Sequence, residues 1–238
     1  MLTGGPPYLV RMMSCIPGSL RRGSRGAAVI GMALVLAAWA PAPARAAGHA
    51  HAPAGISVDS LRAHPELGPD SGAELLGRPA REFRFGRWLR SRPLTPDSLR
   101  GRVVLIRFWT DDCRYCRNTL PAVEALRERF AGRGFVVLGA YHPNEPAEVG
   151  DDLVSRWARE YGFDGPIAVD DQWATLRHWW LEGHPDRNWV SVSFLLDREG
   201  VVRWVHGGGE YHPSAERLHR SCDRSYHDLE EKIEELLR

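Results

Sequence analysis

The stretch Phe108-Trp109-Thr110-Asp111-Asp112-Cys113-Arg114-Tyr115-Cys116 is the most informative part of this 238-residue chain. It follows the apolar run Val103 to Ile106, which is typical of a buried strand. It precedes a segment whose apolar residues recur every three or four positions, as in a helix. A thiolate at Cys113 is favoured there by the free N–H groups and dipole of the helix N-terminus. Cys116, one turn later, is close enough to attack a mixed disulfide on Cys113. The spacing therefore predicts a redox-active pair.

Two other uses of a C-x-x-C pair, a structural zinc site and a structural disulfide, are weaker interpretations. Structural zinc usually takes four Cys or His ligands. We identify neither a second C-x-x-C nor an H-x3-5-H pair that accompanies a suitable cysteine. A disulfide that closes so short a loop adds little entropic stabilisation. Redox chemistry is thus the favoured interpretation.

The first 47 residues have the composition of a secretory signal peptide. They contain five arginines and no acidic residue, and an apolar stretch of 14 residues runs from Ala27 to Ala40. Ala44-Arg45-Ala46 fits the small-x-small cleavage pattern, and the apolar stretch is short for a bilayer span. We therefore expect export with removal of residues 1–47. Membrane attachment is expected only if this segment stays uncleaved.

The charge balance excludes some classes of partner. Loss of residues 1–47 would change the formal net charge from +1 to −4, because it removes five arginines and no acid. The remaining arginines are spread along the chain without forming a basic patch, so no nucleic-acid partner is expected. The 191 residues that would remain suit one domain with additions.

The pattern of elements divides the chain into segments. Residues 48–76 are rich in Ala, His, Pro and Gly and are interpreted as a linker or flexible extension. Residues 77–212 alternate strands with helices and end in a hairpin, and residues 213–238 form a C-terminal helix that Ser214 would cap. This order predicts an α/β fold with three layers and a mixed central sheet. Beyond the two elements around the cysteines, the predicted strands are Phe135 to Ala140, Pro166 to Val169, Ser193 to Asp197 and Val201 to Val205, and the predicted helices are near Glu148 to Tyr161 and Asp171 to Trp180.

Other candidate metal ligands and thiols lie outside the C-x-x-C pair. Cys222 falls on the apolar face of the C-terminal helix, so a buried, inert thiol is expected, with an intermolecular disulfide as the alternative. The segment from His206 to His212 holds two histidines and Glu210, which could bind a metal only if the loop converges. Its three glycines favour a role in backbone geometry instead. His49 and His51 are interpreted as a solvated tail. The other apolar-face residues predicted for the helix are Leu218, Tyr226, Leu229, Ile233 and Leu236.

Together these segments resemble the thioredoxin fold, more narrowly its TlpA-like exported branch, and in particular the thioredoxin-like domain of DipZ-type cytochrome c biogenesis proteins. The resemblance covers about residues 77–212. The residues that carry it are Trp88-Leu89, Pro93-Leu94, Leu99 to Leu105, the stretch from Phe108 to Cys116, Leu120-Pro121, Gly134 to Gly139, Ala168-Val169-Asp170, Trp173-Ala174-Thr175, Phe194 to Asp197 and Glu210-Tyr211.

This resemblance implies a mechanism and partners. Cys113 would be the attacking thiol and Cys116 the resolving thiol, supported by Trp109 and Arg114, and Pro121 would kink the active-site helix. Protein disulfides would be the substrates, no cofactor is implied, and a membrane electron donor would regenerate the dithiol. Reduction is the expected direction because the TlpA-like branch mostly serves reduction.

Two departures concern the loop that faces the cysteines. Thioredoxin-fold proteins commonly carry a cis-proline where this chain has Val190 or Ser191, and Pro185 lies too far upstream to replace it. A cis bond before a non-proline residue costs about 2.5–4 kcal/mol, so we expect a trans bond and a changed surface for docking substrate backbone. A short insertion between Leu181 and Trp189 is expected to accompany the change.

Charged residues near the pair are a further departure. Relatives place Asp or Asn where this chain has Arg107, which cannot relay protons. Arg107 either lies near the sulfurs and favours thiolate or pairs with Asp111 or Asp112. Those aspartates oppose thiolate formation, whereas Arg114 and Arg117 favour it. Glu145, in the loop after the second strand, either approaches the cysteines or is solvated.

Two other functions use the same cysteines. In a copper-handling module, the thiolate pair and a histidine such as His142 or His206 would hold Cu(I), which prefers soft ligands. A thiol-dependent peroxidase fits the missing cis-proline, but no distinctive peroxidase motif surrounds the cysteines.

Overall fold

The computed structural model, which describes residues 72–187 and 189–238, is built on one six-stranded mixed sheet. The spatial order is β1-β4-β3-β2-β5-β6. The three central strands β2, β3 and β4 run parallel, and β1, β5 and β6 are added antiparallel at the edges. The predicted mixed sheet is therefore confirmed. The strands are β1 (Arg87–Leu89), β2 (Val103–Trp109), β3 (Phe135–Tyr141), β4 (Ile167–Val169), β5 (Ser193–Leu196) and β6 (Val202–His206).

Within the described residues, four helices accompany the sheet. The first two form the crossovers between parallel strands, which such strands require, and the third follows β4 and continues into a π-helical turn, Arg177–Leu181. Short 3-10 turns occupy Ala73–Leu75, Asp97–Leu99 and Arg217–His219. The helices are α1 (Arg114–Arg129), α2 (Asp151–Glu160), α3 (Ala174–Leu176) and α4 (Arg220–Leu237).

Strand β2 lies between two hydrophobic cores, because successive side chains of a strand point to opposite faces. Val103 and Leu105 belong to the core that contains apolar residues of α1, α2 and α4. Val104 and Ile106 belong to the core that contains α3, the π-helical turn and part of the segment before β2. All seven residues of β2 are buried. The predicted three-layer α/β architecture is confirmed, and the cysteine pair follows the carboxyl end of its central strand β2.

The C-terminal helix begins later than the sequence predicts. Helix α4 starts at Arg220 with His219 at its N-cap. The predicted cap, Ser214, is wrong, since its Oγ accepts a hydrogen bond from the Glu216 N–H at 3.2 Å in a separate turn. Leu218, predicted on the apolar face, lies in the preceding 3-10 turn and is 67% exposed. The helix itself is amphipathic as predicted, with Cys222, Tyr226, Leu229 and Ile233 buried.

Contacts with the sheet begin before Gly77. Leu75 is buried, and the Gly77 N–H donates to the Val202 carbonyl at 2.9 Å. Glu74 forms an ion pair with Arg187, from the region of the predicted insertion. Residues 72–76 therefore pack on the domain.

The predicted signal peptide, His49, His51 and the linker as far as residue 71 lie outside the described residues. Among the helices of residues 72–187 and 189–238, none is long and apolar enough to cross a bilayer.

Candidate active site

The two cysteines lie where β2 passes into α1 and are joined by a disulfide with Cα atoms 5.2 Å apart. Cys113 is the N-cap of α1, and the Cys116 N–H donates to its Sγ at 3.1 Å. Cys116 is fully buried, whereas Cys113 is 5% exposed. Since N–H groups at a helix N-terminus stabilise negative charge, the fold supports a thiolate on Cys113. Cys113 is also the more accessible of the two sulfur-bearing residues.

Ser191 lies against both sulfurs. Its Oγ is 3.5 Å from the Cys113 Sγ and 3.4 Å from the Cys116 Sγ. This residue is one of the two, Val190 or Ser191, that the sequence matched to the cis-proline of thioredoxin-fold proteins. Every described peptide bond is trans, including the one between Val190 and Ser191, as expected. The departure thus replaces a proline ring with a hydroxyl that can donate a hydrogen bond to sulfur.

Arg107 is fully buried at the far side of the same loop. Its Nη1 donates to the Ser191 carbonyl at 2.7 Å and its Nη2 to the Gly209 carbonyl at 3.0 Å. The guanidinium carbon lies 5.4 Å from the centre of the Tyr211 ring. Burial lowers the pKa of Arg107, and the nearby Tyr211 and Glu210 partly offset this effect.

The structure corrects the predicted pairing of Arg107 with Asp111 or Asp112. Over the described residues no ion pair joins Arg107 to either carboxylate, and Asp111 Oδ1 accepts from the Tyr141 hydroxyl at 2.9 Å. One hydrogen bond of Arg107 holds the Ser191 carbonyl, in the residue whose hydroxyl lies against the sulfurs, and its Nη1 also donates to the Ser193 hydroxyl at 3.4 Å. The sequence could not show this, because the two carbonyls that it binds come from distant loops.

Aromatic residues pack beneath the pair. Trp109 is fully buried, with its ring centre 4.9 Å from that of Tyr141 and 6.0 Å from that of Tyr161. The Arg117 guanidinium lies 4.9 Å from the Tyr161 ring centre. Burial raises the pKa of Tyr161, while Arg117 and the Cys113 backbone oppose the rise. Tyr161 had no sequence signal that would identify it as a neighbour of the cysteines.

The remaining predicted residues lie around the pair at greater exposure. Arg114, the first residue of α1, is exposed. Pro121 lies inside α1 as predicted, where its ring removes one helical hydrogen bond. Glu145 is exposed, and no described contact joins it to either cysteine. Its neighbour Asn144 instead approaches the active-site turn, with Oδ1 3.3 Å from the Thr110 hydroxyl.

His142, which the sequence placed in a loop and considered as a Cu(I) ligand, is a buried residue near the site. Its ring packs edge-on against Trp173 with centroids 5.3 Å apart, and its Nδ1 lies 3.0 Å from the Pro143 carbonyl. Burial lowers the pKa of His142 to about 4, although the carbonyl groups of Pro143 and Val190 oppose the shift. The histidine therefore lies, uncharged at neutral pH, beside the loop that carries Ser191.

The candidate metal ligands of the sequence are divided by the fold. His206 packs with Trp204 and Tyr211, at centroid distances of 5.7 and 5.0 Å. Glu210 and His212, by contrast, come together with two residues that the metal hypothesis did not include. These are His219 and Cys222, supplied by the turn before α4 and by its first turn.

Residues 76–205 match the model of a protein family, described as the AhpC/TSA family. The chain belongs to the AhpC/TSA family. This member is 33% identical over 128 residues to the protein DipZ of Mycobacterium bovis, which covers 52% of the chain and 18% of DipZ. It is 29% identical over 111 residues to the thioredoxin-like protein YneN of Bacillus subtilis, covering 46% of the chain and 58% of YneN. The chain thus spans less than two thirds of either relative.

A further relative and two solved structures are also similar to this chain. The thiol-disulfide oxidoreductase YkuV of Bacillus subtilis is 22% identical to this chain over 122 residues. The match covers 51% of this chain and 78% of YkuV. A crystal structure of a thioredoxin-like superfamily protein superimposes with a TM-score of 0.51 at 23% identity, covering 67% and 96% of the two chains. The crystal structure of a DsbF homologue from Corynebacterium diphtheriae superimposes with a TM-score of 0.51 at 16% sequence identity. The match covers 66% of this chain and 86% of the homologue. The predicted thioredoxin-like fold is confirmed.

Proposed function

We propose that this AhpC/TSA family protein is an exported thiol–disulfide oxidoreductase that reduces protein disulfides. The observation that carries the proposal is the Cys113–Cys116 disulfide at the N-terminus of α1, with Cys116 fully buried and Cys113 at the edge of solvent. This arrangement supports Cys113 as the attacking thiol and Cys116 as the resolving thiol, because a protein substrate can reach only an accessible sulfur.

The reaction would proceed by two thiol–disulfide exchanges. The Cys113 thiolate attacks one sulfur of the substrate disulfide, forming a mixed disulfide and releasing the other substrate sulfur as a thiolate. The Cys116 thiolate then attacks the Cys113 sulfur, and the second substrate sulfur leaves. The substrate gains two electrons and two protons, and the enzyme retains the Cys113–Cys116 disulfide.

The hydroxyl of Ser191 fits both steps. It lies within 3.5 Å of either sulfur, so it can donate a hydrogen bond to whichever sulfur carries negative charge. Hydrogen bonds to charged groups are stronger than those between neutral groups.

Export, a membrane electron donor and a role in cytochrome c biogenesis complete the proposal. The sequence pattern of residues 1–47 and the resemblance to the TlpA-like branch support export and reduction. The identity to DipZ, although it covers only 18% of that protein, supports the biogenesis role. A donor is required because each turnover leaves the pair oxidised, and an oxidising compartment does not regenerate the dithiol.

A redox titration of the full chain tests the proposal, with the state of the pair read by thiol alkylation and intact mass. A reversible two-electron couple below about −200 mV is expected for a reductant, whereas a value near about −120 mV would make the protein an oxidant. Cys116→Ser should trap a mixed disulfide with a substrate, and Cys113→Ser should not.

Two outcomes would replace the proposal with another function. Absence of a reversible couple, together with tight Cu(I) binding that needs both cysteines and one histidine, would favour copper handling. Rapid peroxide consumption driven by a thiol donor, with no reduction of protein disulfides, would favour a peroxidase.

A further inference from the structure

Four potential metal ligands converge where the segment after β6 meets the start of α4. One ligand atom from each of Glu210, His212, His219 and Cys222 lies within 4.8 Å of those of the other three. The ligands come as two short pairs, Glu210-x-His212 after β6 and His219-x-x-Cys222 at the start of α4. Paired ligands at short spacing are typical of structural zinc sites.

The distances are close to those of a four-coordinate site. His219 Nδ1 is 3.5 Å from Glu210 Oε1, Cys222 Sγ is 3.9 Å from the same oxygen, and His212 Nε2 is 4.0 Å from Glu210 Oε2. With metal–ligand bonds of about 2.0–2.3 Å, ligand atoms of a tetrahedral zinc site lie about 3.4 Å apart. Side-chain movements on the order of 1 Å would bring the four ligand atoms to these distances.

The histidines face the carboxylate with atoms suited to ligation. His212 Nδ1 lies 3.2 Å from the Pro213 carbonyl, a contact that requires the proton on Nδ1 and leaves the lone pair on Nε2. His212 Nε2 and His219 Nδ1 are both shielded from solvent without a hydrogen-bond partner among the described residues. Metal-binding histidines commonly donate their second ring N–H to a backbone carbonyl in this way.

Charge and chemistry favour one class of ion. Glu210 is 4% exposed and Cys222 is 1% exposed, and a carboxylate with a thiolate would balance a divalent cation in this buried position. A thiolate and two imidazoles do not suit Ca²⁺ or Mg²⁺, which take oxygen ligands. Cu(I) prefers a softer set without a carboxylate. We propose that Glu210, His212, His219 and Cys222 bind a zinc ion.

The proposed site is connected to the redox site. The Asn118 side chain of α1 donates to Glu210 Oε2 at 2.6 Å. The backbone carbonyl of Gly209, which precedes Glu210 in the chain, accepts a hydrogen bond from Arg107. A bound zinc would therefore fasten the loop after β6 to the start of α4, and hold the carbonyl that positions Arg107.

Zinc binding is tested on the full chain with the other three cysteines and the His49–His51 pair removed. The background carries Cys15→Ser, Cys113→Ser, Cys116→Ser, His49→Ala and His51→Ala, and it is kept reduced so that Cys222 remains a thiol. Calorimetric titration should show one zinc per chain, and zinc should raise the melting temperature. His219→Ala and Cys222→Ser should each weaken binding by more than the roughly 10–100-fold cost of losing an outer-shell partner.

The control and a spectroscopic signature separate ligation from folding. His227→Ala removes an exposed histidine of α4 and should leave zinc affinity unchanged. Cobalt substitution should give a thiolate-to-cobalt band that disappears in Cys222→Ser. Failure to bind one zinc, or equal affinity in His219→Ala and His227→Ala, would overturn the site. Neither result depends on the redox couple, since the background lacks it.

Discussion

Ser191 has an unusual place among the residues of the site, since one hydroxyl touches both members of the cysteine pair. Its backbone carbonyl is held by Arg107, so the hydroxyl is presented from a fixed loop. The side chain of Ser191 therefore contacts the sulfurs, and its backbone carbonyl holds the loop to Arg107.

Removal of the hydroxyl should slow the chemistry of the reduced protein. In Ser191→Ala, the Cys113 thiolate loses a hydrogen bond of about 1.4 kcal/mol, so alkylation at neutral pH should slow about tenfold. The rate of iodoacetamide alkylation measures this effect. Ser98→Ala is the control, because that exposed hydroxyl donates to the Thr95 carbonyl at 2.9 Å in a turn before β2. Equal rates in the two variants would contradict the assignment.

His142 should make stability depend on pH. Because burial holds its folded-state pKa at about 4, the unfolded chain binds a proton between about pH 6.5 and pH 4 that the folded chain does not. The free energy of unfolding should therefore fall as the pH drops through that window, by up to about 3 kcal/mol.

Urea denaturation at several pH values measures this slope. His142→Asn should flatten it, whereas His227→Asn, with a side chain 54% exposed, should retain it. A slope that persists in His142→Asn would assign the pH dependence to other groups.

At the scale of elements, α4 is integrated into the core that underlies the cysteines. Leu229 and Ile233 are fully buried in the cluster that also contains Trp109 and Cys116. Arg129 at the end of α1 forms ion pairs with Glu230 and Glu234 of α4. We therefore expect the helix to fold with the sheet rather than as an appendage.

Substitutions of a buried leucine within α4 and of an exposed leucine before it test this expectation. Leu229→Ala should lower the free energy of unfolding by about 2–5 kcal/mol, because it leaves a cavity in a packed core. Leu218→Ala makes the same change at a side chain that is 67% exposed and should have an effect within about 0.5 kcal/mol. Similar small effects for both would show that α4 detaches without unfolding the domain.

Elements with a strong local pattern were predictable and those set by distant contacts were not. The apolar run of β2 and the periodicity of α1 predicted the strand-to-helix junction with Cys113 at the helix N-terminus, although β2 continues beyond the predicted Ile106 to Trp109. The start of α4 was misplaced because Pro213 and Ser214 carry a local cap signal, while the chain there forms a separate turn. The partners of Arg107 depend on residues 84 and 102 positions away in sequence, which no local pattern encodes.

At the scale of the whole molecule, the described residues form one sheet with a core on each face. The segment preceding β2 takes part in the second core through Leu75 and Leu99. The described part of the chain therefore starts beside the β6 edge of the sheet, where the Gly77 N–H donates to the Val202 carbonyl.

Processing of the N-terminus is the prediction that belongs to this scale. When the full chain is expressed in a bacterium with a secretion pathway, residues 1–47 should be removed and the product should appear in the extracytoplasmic fraction. Intact mass and N-terminal sequencing measure the cleavage site. Recovery of the full-length mass in the membrane fraction would instead indicate an uncleaved anchor.

The bridge that Arg107 makes between the Ser191 and Gly209 carbonyls has a consequence for protein engineering. A designer who transplants only the Cys113-to-Cys116 motif into another thioredoxin-like scaffold would carry over the sulfurs without the loop that faces them. The transferable unit is larger and discontinuous, since Arg107 holds the carbonyl of the residue whose hydroxyl faces the sulfurs. A graft that moves the arginine, the serine and the glycine together should reproduce the reactivity of the parent, and a graft of the motif alone should adopt that of its host.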